Sequence, residues 1–155
     1  TKISRTRSIL ITSAMNNRDF PEQLFEIGIK CIMKNKNGLY LCLKAWEWYY
    51  DLPGGRIAEG EEYTDTLRNE LIEEIGIFPE SYTVAPERHI LWMKKFVTSH
   101  PQKPRLTLIA CPCEFTIENP TIQLSHEHTE FSWETAVELY KKVDILQLVP
   151  FDSIF

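Results

Sequence analysis

Apolar and polar positions change their period several times along this chain. Phe25 to Met33 and Leu39 to Lys44 are rich in β-branched and large apolar residues, and Lys34-Asn35-Lys36-Asn37-Gly38 lies between them. Asn-Gly favours the positive backbone angles of a tight reversal, so this region predicts a β-hairpin. An aromatic run, Trp46 to Tyr50, and a turn, Leu52-Pro53-Gly54-Gly55, come next. Leu67, Leu71 and Ile75 then fall on one helical stripe, predicting a helix from about Tyr63 to Ile75 that Gly76 stops. Arg88 to Val97 and Leu106 to Phe115 read as strands on either side of the turn-rich Ser99 to Pro104. Thr135 with Glu138 forms a capping box, and Val137, Leu139, Tyr140 and Val143 supply the apolar positions of a second helix. Thr1 to Gln23 shows no clear period and reads as a peripheral arm with a short edge strand around Ser8 to Thr12.

The order strands, helix, strands, helix predicts an α+β or α/β sandwich, a mixed sheet between helices. At 155 residues, with 43% hydrophobic and 12% aromatic content, the chain is expected to form one domain with one ample core. Seventeen basic residues against 22 acidic ones leave a formal charge of −5, which argues against a broad grip on duplex nucleic acid or an anionic membrane surface. No apolar run approaches the length of a membrane span, and the chain is expected to be cytoplasmic. Cys31, Cys42, Cys111 and Cys113 lie in strand-like stretches, as buried reduced thiols would. Cys111-x-Cys113 with His126-x-His128 lacks the C-x2-C spacing of zinc ribbons and fingers, so zinc is not expected.

Chemistry concentrates on the first helix. Glu70, Glu73 and Glu74 share an arc beside its apolar stripe, and like charges so spaced cost a helix roughly 0.2 to 0.5 kcal/mol per pair unless something positive sits among them. The bland reading is a solvated acidic face. Upstream, however, Pro53-Gly54-Gly55 has no side chain to keep its backbone at a distance, so Gly55 can offer a carbonyl to a metal while neighbouring amides face a phosphate. A donor set of hard oxygens suits Mg²⁺ (or Mn²⁺).

The string Gly55-x5-Glu61-x7-Asn69-Glu70-Leu71-x-Glu73-Glu74-x-Gly76-Ile77 resembles the signature of the Nudix hydrolases, G-x5-E-x7-R-E-U-x-E-E-x-G-U with U aliphatic. The lead-ins Leu52-Pro53-Gly54-Gly55 and Glu59-Gly60-Glu61 are similar too, and the likeness runs from about Phe25 to Tyr140. It implies a Nudix-type α/β/α sandwich spanning residues 1–155 as a single domain, and Mg²⁺-dependent hydrolysis of a pyrophosphate bond in a nucleoside diphosphate linked to another group. One position departs: Asn69 stands where the family has Arg, and Arg68 points about 100° away from it on a helix. Asn69 can hydrogen-bond Glu73 but cannot neutralise it.

Leu124-Ser125-His126-Glu127-His128 with Trp133 resembles the S-H-E-H…W stretch of diadenosine tetraphosphate hydrolases. The resemblance implies that Glu127 is a metal ligand or general base on a loop over the metal site, with Glu130 as the competing acid and Trp133 as core. His126 and His128 are read as orienting the loop or touching phosphate.

The metal set is therefore Gly55, Glu70, Glu73, Glu74 and Glu127, with Glu127 or Glu70 taking the proton. Lys44 and Arg56 are candidate phosphate contacts, alongside Lys94, Lys95, Lys103 and Arg105, although each alone is more often a solvated surface charge. Trp46, Trp48, Tyr49 and Tyr50 could stack on a base, although strand alternation would turn two of the four toward the core. The expected partner is a nucleotide-type small molecule, a dinucleoside polyphosphate, nucleoside triphosphate or sugar nucleotide, with a homodimer left open. The rival readings are a non-catalytic nucleotide-sensing Nudix module, expected to have lost the acids kept here, and a plain Mg²⁺-stabilised interaction protein, which gives the glycine turn no purpose.

Overall fold

A computed structural model describes residues 25–95 and 105–155. The arm and its edge strand, the turn at 99–104, Val97 and Lys103 lie outside the described residues. The strands are β1 (Glu26–Lys34), β2 (Tyr40–Trp46), β3 (Tyr49–Asp51), β4 (Gly54–Arg56), β5 (Tyr82–Val84), β6 (His89–Lys95), β7 (Arg105–Phe115) and β8 (Glu130–Glu134). The helices are α1 (Tyr63–Ile75) and α2 (Ala136–Lys142), and short 3-10 turns at Pro79–Ser81, Asp144–Leu148 and Phe151–Ser153 complete the fold. Among the described residues no helix is long and apolar enough to cross a membrane.

All eight strands join one mixed sheet, in which β3, β2, β1, β7 and β5 lie side by side, β4 pairs with β1, β6 with β7 and β8 with β2. The expected hairpin is present only at its turn. Lys34 pairs with Tyr40, and the strands then diverge: β1 runs parallel to β7 from Glu26↔Leu106 to Lys34↔Glu114, while β2 pairs with β8 from Tyr40↔Glu134 to Lys44↔Glu130. The reason is β4, which occupies the edge of β1 opposite Gly28, Ile29 and Lys30 that a full hairpin would have given to β2. β1 and β2 are thereby splayed, and a cleft opens between them.

Each face of the sheet carries its own core, because alternate side chains of a strand point to opposite faces. Ile29, Cys31, Met33, Leu41, Leu43, Cys111 and Cys113 pack under Leu67, Leu71 and Ile75 of α1. On the other face Ile32, Cys42, Leu52, Leu106, Leu108 and Ala110 pack under Leu139 of α2 and Val143 and Leu146 beyond it. The sandwich is thus α/β/α, as expected. The C-terminal tail belongs to it: Tyr140 Oη donates to the Val149 carbonyl at 2.7 Å, and Phe155 meets Tyr40 edge to face at 5.2 Å. All four cysteines are free and buried.

Both helices end where their residues dictate. Gly76 takes φ 68° and, with Ile77, returns its amide to the carbonyls of Ile72 and Leu71. The Thr135 hydroxyl accepts the Glu138 amide at 3.2 Å. Val137, expected to be apolar contact, is instead half exposed, since α2 has less than two turns to bury and Leu139 and Val143 occupy the seam. Trp133 is partly buried and packs edge to face on Phe115 at 5.8 Å.

Candidate active site

The three acids of α1 do not share one environment. Glu74 falls on the buried face with Leu67, Leu71 and Ile75 and is only 6% exposed, Glu70 is half-buried, and Glu73 is exposed. The tight approach of β4 explains the difference. A Cβ on Gly54 would overlap the Ile29 backbone carbonyl, so that position needs glycine, and a Cβ on Gly55 would take the place now held by the Glu70 carboxylate. Glu70 therefore lies directly on the Gly55 backbone, and Glu74 accepts the Gly54 N–H at 3.2 Å. The two halves of the motif, distant in sequence, become one surface.

Burial pushes the Glu74 carboxyl up to about 8, against the Gly54 hydrogen bond and the nearby Lys30 charge, which both favour its ionised form. Glu70 is raised as well, first by desolvation and then by Glu73, with a hydrogen bond from Glu74 and Lys30 opposing and Glu127 adding to the rise.

Lys30 and Asp51 are the residues that sequence reasoning missed. Lys30 Nζ donates to Asp51 Oδ2 at 2.9 Å and to the Leu52 carbonyl at 3.3 Å, in a pair whose side chains are 16% and 12% exposed. Burial pulls the lysine pKa down, but Asp51, with help from Glu74, overcomes this and leaves it raised. The only available hint was a lysine interrupting the apolar run of β1, which also reads as an edge charge. Asn69 is exposed, and Arg68 is taken by Asp65 at 3.1 Å, so the positive charge that reaches the acids comes from β1.

The 121–129 loop is tied to the end of α1, where the Gln123 and Ser125 amides donate to the otherwise orphaned carbonyls of Ile75 and Glu74 at 2.9 and 3.0 Å. This leaves Glu127 exposed and close enough for its charge to act on Glu70. His128 is buried at 9% exposure with Nδ1 unpartnered; burial lowers its pKa, with Asp51 opposing. Glu130 begins β8 opposite Lys44, on the α2 face of the sheet, and the pair forms an ion pair at 3.8 Å.

The remaining basic and aromatic candidates are dispersed. Arg56 pairs with Glu26 at 2.7 Å. Lys44 and Lys142 lie over the Tyr50 ring at 5.9 and 5.4 Å, and Tyr50 packs on the second core. Trp46 and Trp48 are 54% and 74% exposed and form an aromatic group with Tyr49, which stacks on Trp46 at 5.3 Å. Lys94, Lys95 and Arg105 lie on the paired β6 and β7.

The NUDIX domain family model matches residues 25–152. The chain belongs to this family. The match extends past Tyr140 into the tail, consistent with the packing of that tail on the second core. No curated protein matches the chain. Among solved structures, a Caenorhabditis elegans Ap4A hydrolase in a binary complex is 21% identical, covers 84% of this chain and 96% of its own, and superposes with a TM-score of 0.64. A MutT protein from Methanosarcina mazei Go1 is 21% identical over 86% of this chain and 96% of its own, at 0.60. The Escherichia coli dihydroneopterin triphosphate pyrophosphohydrolase is 15% identical over 85% and 99%, at 0.65. At these identities the three share the fold. Nudix hydrolases act on nucleoside diphosphate derivatives, and the expectation of a pyrophosphohydrolase stands with family membership.

Among the described residues no three His, Cys, Asp or Glu side chains are gathered into a ready cage for a metal ion. The donor set nevertheless fits a hard dication. Glu70 lies on bare Gly55 backbone among other carboxylates, and burial still raises both Glu70 and Glu74 despite the Lys30 charge, so a dication there would favour their ionised forms.

Proposed function

We propose that this chain hydrolyses a pyrophosphate bond in a nucleoside diphosphate linked to another group, with Mg²⁺ (or Mn²⁺) held by Glu70, Glu73, Glu74, Glu127 and the Gly55 carbonyl. The observation that carries this reading is the contact of Glu70 and Glu74 with Gly55 and Gly54, which joins both halves of the motif into one oxygen-lined surface. When bound, the metal would neutralise phosphate charge and acidify a water molecule. Glu70 and Glu74 supply negative charge at a site that must receive an anion; the Gly54 N–H bonds Glu74, and the Lys30 charge favours its ionised form.

Glu127 takes the proton from the attacking water. It is exposed on a loop pinned to α1, close enough for its charge to act on Glu70. Glu130, on the opposite face with Lys44, does not serve that role.

The S-H-E-H stretch and the likeness to an Ap4A hydrolase favour a dinucleoside polyphosphate over a nucleoside triphosphate or sugar nucleotide. Four buried free thiols suit a reducing, cytoplasmic setting, and the homodimer is checked by sedimentation. The test is a panel of nucleoside diphosphate derivatives assayed with Mg²⁺ and with a chelator, products being identified by chromatography. Hydrolysis of none of them by folded protein would overturn the reading.

A further inference from the structure

The loop that carries Glu127 is clamped at both ends, and to different elements. Ser125 gives its amide to the Glu74 carbonyl of α1 at 3.0 Å. Thr129 gives both its amide and its hydroxyl to the Lys44 carbonyl of β2, at 2.8 and 3.1 Å, just before the pairing of β8 with β2 begins at Glu130↔Lys44. Between the clamps the chain turns back on itself. The Ser125 carbonyl accepts the His128 amide at 3.3 Å, and the Ser125 hydroxyl accepts the Glu127 amide at 3.4 Å. A serine hydroxyl that takes the amide two residues on makes an ST turn, which fixes the backbone at that second residue. Residues 125–129 thus bridge the helix that bears the acids and the strand β2.

Glu127 itself is exposed, so no packing holds its carboxylate and its place is set by the backbone that carries it. A general base must come within about 2.6 to 3.2 Å of the proton it takes, or one water away, and a misplacement of roughly 1 Å can cost about a hundredfold in rate. The backbone bonds of the loop would form with many residues at these positions; the two hydroxyls are what this sequence adds. We propose that the hydroxyls of Ser125 and Thr129 are positioning groups for the reaction, holding Glu127 in place beside the acids of α1. The inference rests on the proposed role of Glu127 as the base. Ser125 is half-buried and Thr129 is exposed, so removing either hydroxyl leaves both cores of the sandwich intact.

The experiment is a mutant cycle on the full chain, with the most rapidly hydrolysed member of the nucleoside diphosphate panel as substrate. Ser125→Ala and Thr129→Val should each lower kcat by about threefold to tenfold, the rate equivalent of one neutral hydrogen bond, and the double variant by about tenfold to a hundredfold. KM and Mg²⁺ affinity should stay within about twofold, since the loss falls on the chemical step. In a Glu127→Gln background the same changes should cost almost nothing further, because the group they position is already gone. Thr129→Ser, which keeps the hydroxyl, should recover most of the Thr129→Val loss. A second reading needs no turnover: ¹⁵N relaxation should give the Glu127 amide an order parameter of about 0.85 in the wild type, as in rigid backbone, falling toward about 0.6 in the double variant. The single variants and the wild-type relaxation keep the test decisive if the double variant fails to fold. Unchanged kcat in both single variants, equal losses in the Glu127→Gln background, or a mobile Glu127 amide in the wild type would overturn the inference. Hydrolysis that the hydroxyl changes leave untouched would keep the hydrolase and sink the clamp. An ordered Glu127 that they loosen, in a folded protein that hydrolyses none of the panel, would do the reverse.

Discussion

Gly54 donates its backbone N–H to the Glu74 carboxylate at 3.2 Å, from a strand whose close approach to β1 no larger residue would allow. This contact holds an acid on the buried face of α1, where an apolar residue would otherwise be expected.

Glu74→Gln should keep the fold and nearly abolish Mg²⁺-dependent hydrolysis, because the amide retains the shape but not the charge. Burial disfavours the carboxylate, so the melting temperature should hold or rise. Turnover within a few-fold of wild type would remove Glu74 from the metal set.

Glu127→Gln should lower kcat by a general-base factor of roughly 10² to 10⁴ with Mg²⁺ affinity almost unchanged, whereas Glu70→Gln should damage both. Glu130→Gln should be mild, because Glu130 faces Lys44 on the α2 side of the sheet. Steady-state kinetics paired with metal calorimetry separates the three, and a severe Glu130 variant would mean that the loop acts through the wrong acid here.

Lys30→Met should destabilise the protein by about 3 kcal/mol, the low end for breaking a buried ion pair, since Asp51 is left without its partner and within electrostatic reach of Glu74. Adding Asp51→Asn should recover much of that loss. Urea denaturation reads both, and additive losses in the double variant would show that the pair carries no such coupling.

Alkaline stability follows from the thiols. Burial pushes Cys42 and Cys111 up to about 11 and, likewise, the Tyr82 phenol up to about 12. A raised folded-state pKa gives stability that is complete below the unfolded value, about 8.5 for a thiol, and is lost as pH rises through the folded value. The melting temperature should therefore fall between about pH 9 and 11, and less steeply in Cys42→Ala. Below pH 8 iodoacetamide should label the native thiols slowly. Rapid labelling at that pH would contradict their burial.

The first helix, its stop at Gly76, the capped second helix and the acid motif were legible in the sequence because each is written in residues within one or two turns of one another. Helical periodicity, an αL glycine and a capping hydroxyl are local effects that need no distant partner. The strands β3, β4, β5 and β8, of three to five residues, were not legible, since so short a segment is held by its neighbour in the sheet and not by its own preference. Nor was the early divergence of the hairpin, which β4 and β8 impose by occupying strand edges. The spacing of Glu70, Glu73 and Glu74 put three carboxylates on one arc, but only tertiary packing ranked them by burial. The Lys30–Asp51 pair joins residues 21 apart in the chain, and its partners are chosen by strand pairing around β1. Sequence alone determined which chemistry is present; the long-range closure of the sheet decided which acid is buried and which loop residue lies close to the acids.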